Sequence, residues 1–579
     1  MNDYTALRDS SVYLSTAEFD NLGGWVHDTQ FIVNIGSSYL LAHGLGTPVA
    51  DASAKFCAPV SGCYKVYAFT KDWVARWKKD VAPGLFKVII DGCESEICGN
   101  SGRDWDWQLA CTVHLEKGEH SVALKDLTGY EGRCAALFFT TQDDFVPPKS
   151  KTDLITFRAQ MQGIGDPECV GHFDLAVIGG GFSGMTSAVS AAEQGLKVLL
   201  VQDRYVLGGN NSSEVRVWLG GETNFEPYPH IGDITRKFEP ASATNYGDKN
   251  IGEQYEDGKR LDIVRSYKNI TLLLGKFAEE TEVADGKIKS ITFSDVKTNR
   301  LSKATADLFV DATGDATIGY MAQADYEITT NGHMGLSNMW FVTDTGEETV
   351  FPQLPWAANM GKYDFPGRKA KDAHGTTSLG CWFWESGMEY EPIENAEQAR
   401  DLNFRAMYGA MDAIKNVEKN EFYKTYAIGY SSYIAGKRES RRLLGDLILT
   451  KSDVLKNRVF PDSCIPCTWH IDVHYPKKEC YTVFTEGEAF LTNAYYDNLT
   501  APYYLLPYRC LYSRNISNLF MAGRDISVSH DALGTARVMR TCGMMGEVVG
   551  YAASICKKYG ALPRDVYESH LEEFLKLMK

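Results

Sequence analysis

No apolar run in the 579 residues approaches the ~18 that would cross a bilayer as a helix, so no membrane-spanning helix is expected. Basic surplus is also missing: 59 Lys and Arg stand against 75 Asp and Glu, a formal charge of −16. That balance argues against nucleic acid and anionic membrane as partners. The opening stretch Met1-Asn-Asp-Tyr-Thr-Ala-Leu-Arg-Asp9 has neither the basic nor the apolar region of a secretory signal. The 14 cysteines, scattered from Cys57 to Cys556, do not form the spacing of a small disulfide scaffold. The expected location is therefore a reducing one, the cytoplasm.

A composition with 44% hydrophobic and 12% aromatic residues suits a well-buried globular protein, and the length calls for more than one core. The most informative stretch is Phe173-Asp-Leu-Ala-Val-Ile-Gly-Gly-Gly-Phe-Ser-Gly184. An apolar strand runs into Gly179-x-Gly181-x-x-Gly184, followed by the Ala- and Ser-rich segment Met185 to Gln194, a stop at Gly195 and a second apolar strand, Lys197 to Val201. In a dinucleotide-binding unit Gly179 permits the tight turn, Gly181 lets the backbone approach a pyrophosphate, and Gly184 lets the helix pack closely. Phe182 and Ser183 open that helix, whose free N–H groups and dipole favour an anion. The second strand usually ends in an acid that holds a ribose hydroxyl. Here Gln202 stands in that place, followed by Asp203 and Arg204, and these three are assigned to the adenosine side.

The expected fold is an α/β Rossmann-type dinucleotide-binding domain with an inserted α+β substrate domain, preceded by an all-β sandwich. Residues 1–147 carry short strand-like runs with turns between them and form the sandwich. Trp25, Trp73, Trp77, Trp105 and Trp107, near Asp72, Arg76, Arg103, Asp104 and Asp106, read first as packing or docking residues and second as a carbohydrate-module-like glycan site. Residues 148–171 are expected to be a linker. The dinucleotide-binding domain occupies 172–325 and returns at 506–579, around a substrate domain at 326–505 with a helix from Glu397 to about Lys419. A long small-residue helix is expected from Leu533 to about Tyr559, with Gly543, Gly546 and Gly550 packing on a cofactor or the sheet.

Further cofactor contacts are assigned to Gly208, Gly209, Asn210, Asn211 and Ser212 after the second strand, and to Ala312, Thr313, Gly314 and Asp315. In the C-terminal part they fall on Gly523, Arg524, Gly534, Thr535 and Ala536. The segment Leu207 to Arg216 resembles the flavin-contacting segment of succinate-dehydrogenase and fumarate-reductase flavoproteins. Asp311-Ala-Thr-Gly looks like the turn that closes over FAD in the same class. Together with Lys437-Arg-Glu-Ser-Arg-Arg-Leu-Leu-Gly-Asp446, Trp469-His-Ile-Asp-Val-His474 and Gly534-Thr-Ala-Arg-Val-Met539, the chain from about 170 to 560 resembles a bacterial FAD-dependent oxidoreductase family. Some members of that family carry the loose label xanthan lyase. The resemblance implies FAD and leaves the substrate open.

Cys464-x-x-Cys467-x-x-His470-x-x-x-His474 is the one metal-like spacing, but its gap is shorter than in a zinc finger, and no metal is expected. Oxidising an alcohol needs a base near the hydroxyl, and His474 and His530 are the candidates, with His474 favoured. Arg537 is the third catalytic candidate, as a clamp for a carboxylate or for the flavin edge. The leading expectation is oxidation of a sugar, glycoside or polyol hydroxyl. The alternative is reduction of an activated C=C bond in a small carboxylic acid. Either needs a small-molecule substrate and an electron acceptor; self-association is left open.

Overall fold

A computed structural model describes residues 3–241, 246–330, 332–361, 364–369, 375–382, 384–476, 488 and 490–579. Its N-terminal part is built from two antiparallel sheets. One joins Val26–Asp28, Tyr39–Ala42, Gly132–Thr140, Gly62–Thr70 and Asp106–Leu115, with Ser11–Ser15 also paired to Gly132–Thr140; the other runs Ala52–Ala58, Gly118–Asp126, Phe86–Ile90, Cys93–Cys98. Alternation along Phe86–Ile90 turns Phe86, Val88 and Ile90 inward, where they meet Leu137 and Phe139 of the facing sheet. The strand Gly132–Thr140 is buried on both faces, since Ala136 and Phe138 point the other way.

What covers that second face corrects the expected linker. Residues Lys151–Gln162 form a helix capped by Ser150, whose hydroxyl accepts from Asp153 N, and closed by Gly163 in the left-handed region. Leu154, Phe157 and Met161, spaced for one helix face, bury against Tyr4, Phe138 and Trp107. The segment is part of the N-terminal core.

A seven-stranded sheet follows, in the order Ile270–Leu274, Val198–Gln202, Glu168–Ile178, Leu301–Asp311, Lys287–Asp295, Lys276–Ala284, with Leu519–Met521 also beside Leu301–Asp311. The first four strands and Leu519–Met521 are parallel; the other two form an antiparallel flap. Helix Phe182–Glu193 packs against Met539–Tyr559, and the glycines expected to face a cofactor or the sheet lie at this helix–helix contact. A Cβ on Gly546 would overlap Thr186 and Ser183, and one on Gly550 would overlap Ser190. Thr186 Oγ1 donates to Gly543 O at 2.8 Å, and Ser190 Oγ donates to Glu547 O at 2.8 Å.

The middle of the chain builds two-stranded antiparallel pairs, such as Trp340–Asp344 with Tyr426–Ser431 and Ile471–Pro476 with Thr492–Asp497, around helix Ala396–Asp412. That helix docks the N-terminal sheets through buried charges. Arg133 pairs with Glu397 at 2.8 Å and with Asp401; Lys71 Nζ lies 3.0 Å from Glu397; Tyr39 donates to Glu397 at 2.7 Å; Arg400 pairs with Asp28. Burial works to raise the Glu397 carboxyl, but Lys71, Arg133 and Arg400 outweigh it and hold it far below the usual range. Trp73 and Trp77 pack with Trp356, Phe404 and Tyr408 of the middle region, while Trp25 lies inside the two-sheet core. Four indole nitrogens are engaged as well: Trp73 Nε1 donates to Tyr130 O, Trp77 Nε1 to Glu488, Trp105 Nε1 to Glu397 and Trp107 Nε1 to Pro148 O. Among the described residues, no helix is long and apolar enough to cross a membrane.

Replacing Arg133 by Met should destabilise the protein by about 3–5 kcal/mol, because Glu397 and Asp401 would stay buried with Lys71 as their remaining sandwich cation. Denaturant unfolding reads this as a lower midpoint with an unchanged slope; an unchanged midpoint would show that the pairing is dispensable.

Candidate functional site

At the carboxyl ends of the parallel strands lies a cavity of about 420 Å³. This is the edge where open α/β sheets place ligands. The strand-to-helix turn is shaped by its glycines in three ways. Gly179 has φ 109°, and a Cβ there would overlap the carbonyl oxygen of Ala312. On Gly184 a Cβ would overlap the carbonyl oxygen of Gly179, so this glycine sets how closely helix and strand approach. Gly181 has ordinary φ −70°, and a Cβ on it would meet only Gly209 Cα, at 3.9 Å. The space beside Gly181 is therefore open, and it belongs to the cavity.

Sixteen of the 22 expected cofactor residues line this cavity; Gly184, Asn211, Ser212, Gly534, Thr535 and Ala536 do not. Five of these exceptions have a local cause. Asn211 is held by Arg260 and donates to Val217 O at 2.7 Å, and Ser212 Oγ donates to Gly209 O at 2.8 Å, so both brace the loop from behind. Gln202 lines the cavity, yet its Oε1 accepts from Gly180 N at 2.7 Å, and that oxygen holds the turn. Asp203 beside it is pushed up by burial, with Arg204 pulling the other way.

The expected helix from Leu533 is two helices. His530–Ala536 stops before Val538, whose extended backbone (φ −68°, ψ 142°) precedes Met539–Tyr559. Gly534 and Thr535 pack against the strand Ile471–Pro476 and its approach: a Cβ on Gly534 would meet Asp472 O at 2.7 Å, and Thr535 Oγ1 donates to Trp469 O at 2.5 Å. Arg537, Met539 and Cys542 reach the cavity instead. The helix N-terminus beside the cavity is thus that of Met539–Tyr559.

The lining is rich in cations. Arg524 Nη2 lies 3.2 Å from Asp315, which Lys437 also pairs, and these cations outweigh burial and hold the Asp315 carboxyl at about 2. Arg524 Nη1 and Arg537 Nε are buried without a hydrogen-bond partner among the described residues. Orphaned guanidinium nitrogens, open glycine backbone and two helix N-termini suit an anionic dinucleotide. Lys437, Arg441, the flap residues Lys276 to Glu279, and Gln30, Ile32, Val33, Gly36 and Lys151 of the N-terminal part also line the cavity. Lys437 and Arg441 fall in the motif Lys437 to Asp446, but sequence pattern did not single out the others. No local spacing marks them, because they converge from distant parts of the chain.

His474 and His530 do not line the cavity. His474, 2% exposed, sits between two acids, with Nδ1 2.6 Å from Glu385 and Nε2 3.1 Å from Asp472. Burial would raise Glu385, but Arg438 at 3.6 Å and His474 outweigh it and hold the carboxyl at about 2. His530 is more open: its side chain is 19% exposed, Nδ1 lies 2.9 Å from Glu439, and Nε2 is 3.5 Å from the Tyr475 hydroxyl. Glu439 is held below its usual range, as its hydrogen bond to His530 and the charges of His530 and Arg442 outweigh burial. Cys464 and Cys467 lie buried on the strand Ser463–Cys467, where burial raises both thiols, and His470 stacks on Trp469. Among the described residues no group of three His, Cys, Asp or Glu side chains is arranged to hold a metal; Cys480 lies outside them.

A family model described as FAD dependent oxidoreductase matches residues 174–575. A search of curated proteins finds no match. Among solved structures, the Bacillus halodurans glycerol-3-phosphate dehydrogenase complexed with FAD is 17% identical over 30% of this chain and 40% of its own, with TM-score 0.21. The E. coli quinol fumarate reductase FrdA is 12% identical over 71% and 75%, with TM-score 0.31. A family 35 carbohydrate binding module from Clostridium thermocellum is 15% identical over 23% of this chain and 99% of its own, with TM-score 0.19.

Two glycine substitutions should separate binding from folding. Gly181→Val fits its φ, so the protein should fold normally and retain no flavin; Gly184→Val should lower the unfolding midpoint, because its Cβ overlaps backbone. Flavin absorbance and thermal unfolding check both, and a yellow Gly181→Val protein would contradict the first. A second expectation concerns acid. A carboxyl held at about 2 in the fold, against 4.5 ordinarily, adds stability above pH 4.5 that is lost as pH falls toward 2. The stability gap between wild type and Glu385→Gln should therefore close over that window in acid-unfolding titrations.

Proposed function

Because the chain belongs to the FAD-dependent oxidoreductase family and takes FAD as its cofactor, we propose that the glycine-lined cavity holds FAD and that the enzyme oxidises a hydroxyl of a sugar, glycoside or polyol. FAD supplies the acceptor for the carbon-bound hydrogen and its electron pair. The protein supplies the base. His530 carries the observation that best supports this reading: Glu439 holds its Nδ1, which leaves Nε2 as the nitrogen available to take a proton. A carboxylate behind an imidazole fixes its orientation and stabilises the imidazolium once the proton has moved. Tyr475 lies beside His530 and packs against Tyr495, which is 52% exposed. Aromatic faces next to a base suit a sugar ring, whose C–H face stacks while its hydroxyls are bonded.

His474, the base favoured on sequence grounds, is better read as a positioning residue, since both of its nitrogens face carboxylates that belong to the fold. Arg537, close to the Asp472 carboxylate and with Nε unpartnered among the described residues, is proposed as the cation beside the flavin. The free cysteines among the described residues support a reducing compartment, and with it the cytoplasm.

An anaerobic screen of the purified yellow protein with glycosides, polyols and dicarboxylic acids tests the substrate class. Bleaching by a hydroxyl compound is expected; reoxidation of pre-reduced flavin by unsaturated acids alone would replace this reading with C=C reduction. With the best substrate, His530→Ala should slow flavin reduction by ~10²–10⁴-fold at unchanged FAD content. Reduction at the wild-type rate would remove His530 as the base.

A further inference from the structure

We propose that the turn Gln30–Gly36 of the N-terminal sandwich is a built-in wall of the FAD cavity, so that the sandwich retains the cofactor. The inference rests on the reading that this cavity holds FAD and is independent of the substrate. Gln30, Ile32, Val33 and Gly36, with Lys151 from the helix that seals the sandwich, share the lining with the dinucleotide-type turn. Apolar Ile32 and Val33 next to a lysine match a ligand that combines aromatic rings with an anionic diphosphate.

The turn is held from several sides. The Gln30 carboxamide makes a two-point clasp on Ala435, donating to its O at 2.7 Å and accepting from its N at 2.8 Å, and Ala435 itself lines the cavity. Gly36 closes the turn at φ 72°; its carbonyl accepts from Arg158, and a Cβ there would collide with Ile155. Two residues before the clasp, Asp28 pairs with Arg400 of the docked helix. Phe31 and Ile35, by contrast, point into the sandwich-side core. Different residues of one short turn thus serve two purposes: anchorage in the sandwich and a wall for the cavity. A glycan-binding appendage would need neither the clasp nor the wall, whereas a cofactor cover needs both.

The full-length holoenzyme provides the test, with release of FAD after dilution followed by recovery of free-flavin fluorescence. Val33→Glu and Lys151→Glu each put a carboxylate on this wall against an anionic ligand, and FAD should leave faster by on the order of tenfold, equivalent to ~1.4 kcal/mol of binding. Val60→Glu, on an exposed connection between the two sheets of the sandwich, should release FAD at the wild-type rate. Hydrogen exchange on wild type gives a second measurement that needs no variant: amides of residues 30–36 should exchange more slowly with FAD bound than without. Wild-type release from Val33→Glu and Lys151→Glu, or identical exchange with and without FAD, overturns the proposal. If Gly181→Val loses FAD while both wall variants keep it, the cavity reading stands and the cover alone is wrong.

Discussion

The arrangement depends on a set of charges buried where the N-terminal sheets meet helix Ala396–Asp412. Arg133, Lys71 and Tyr39 converge on Glu397 and Asp401, and Arg400 reaches back to Asp28. Desolvating so many charges gains little net stability over an apolar contact of equal area. It does fix register, since each ion is costly to bury unless its partner stands at one position. The sandwich is therefore seated on the middle region in a single way, and the turn that starts at Gln30, two residues after Asp28, is carried to the edge of the cavity.

The opposite side of the cavity uses a different constraint, close approach of backbone. Gly184 against Gly179, and Gly546 and Gly550 against Thr186 and Ser190, bring two helices and a strand nearer than any side chain would allow. Both helix N-termini then lie beside one space. Cations that the local sequence leaves paired or unpaired, Lys437 with Asp315 and Arg524 with one nitrogen unsatisfied, set its electrostatic character. A charge-built interface and a glycine-built interface thus enclose the same cavity.

The two histidines differ in burial and in the partners of their ring nitrogens. Both stand beside a glutamate, so the residue pair alone does not distinguish them. His474 faces a carboxylate on each ring nitrogen and is nearly inaccessible; His530 has one carboxylate, and its other nitrogen faces a tyrosine hydroxyl. A proton acceptor needs one uncommitted nitrogen and a route to it, and His530 meets that requirement.

By itself the sequence determined the elements whose signals are local. The Gly179–Gly184 turn with its flanking strands, the Asp311-Ala-Thr-Gly turn and Ala522-Gly-Arg524 could be placed because spacing and glycine conformation are written in consecutive residues. The helix Lys151–Gln162 was missed: Ser150, Asp153 and the spacing of Leu154, Phe157 and Met161 mark it locally, but the prolines before it read as a linker. Tertiary structure alone decided the rest. One extended residue, Val538, moves the cavity-facing helix start from Leu533 to Met539, and small-residue periodicity carries no mark of such a break. That Gln30, Ile32 and Val33 would border a space shared with Gly181 follows from burying Arg133 and Arg400 against a helix far along the chain, and no window of sequence contains both partners of those ion pairs.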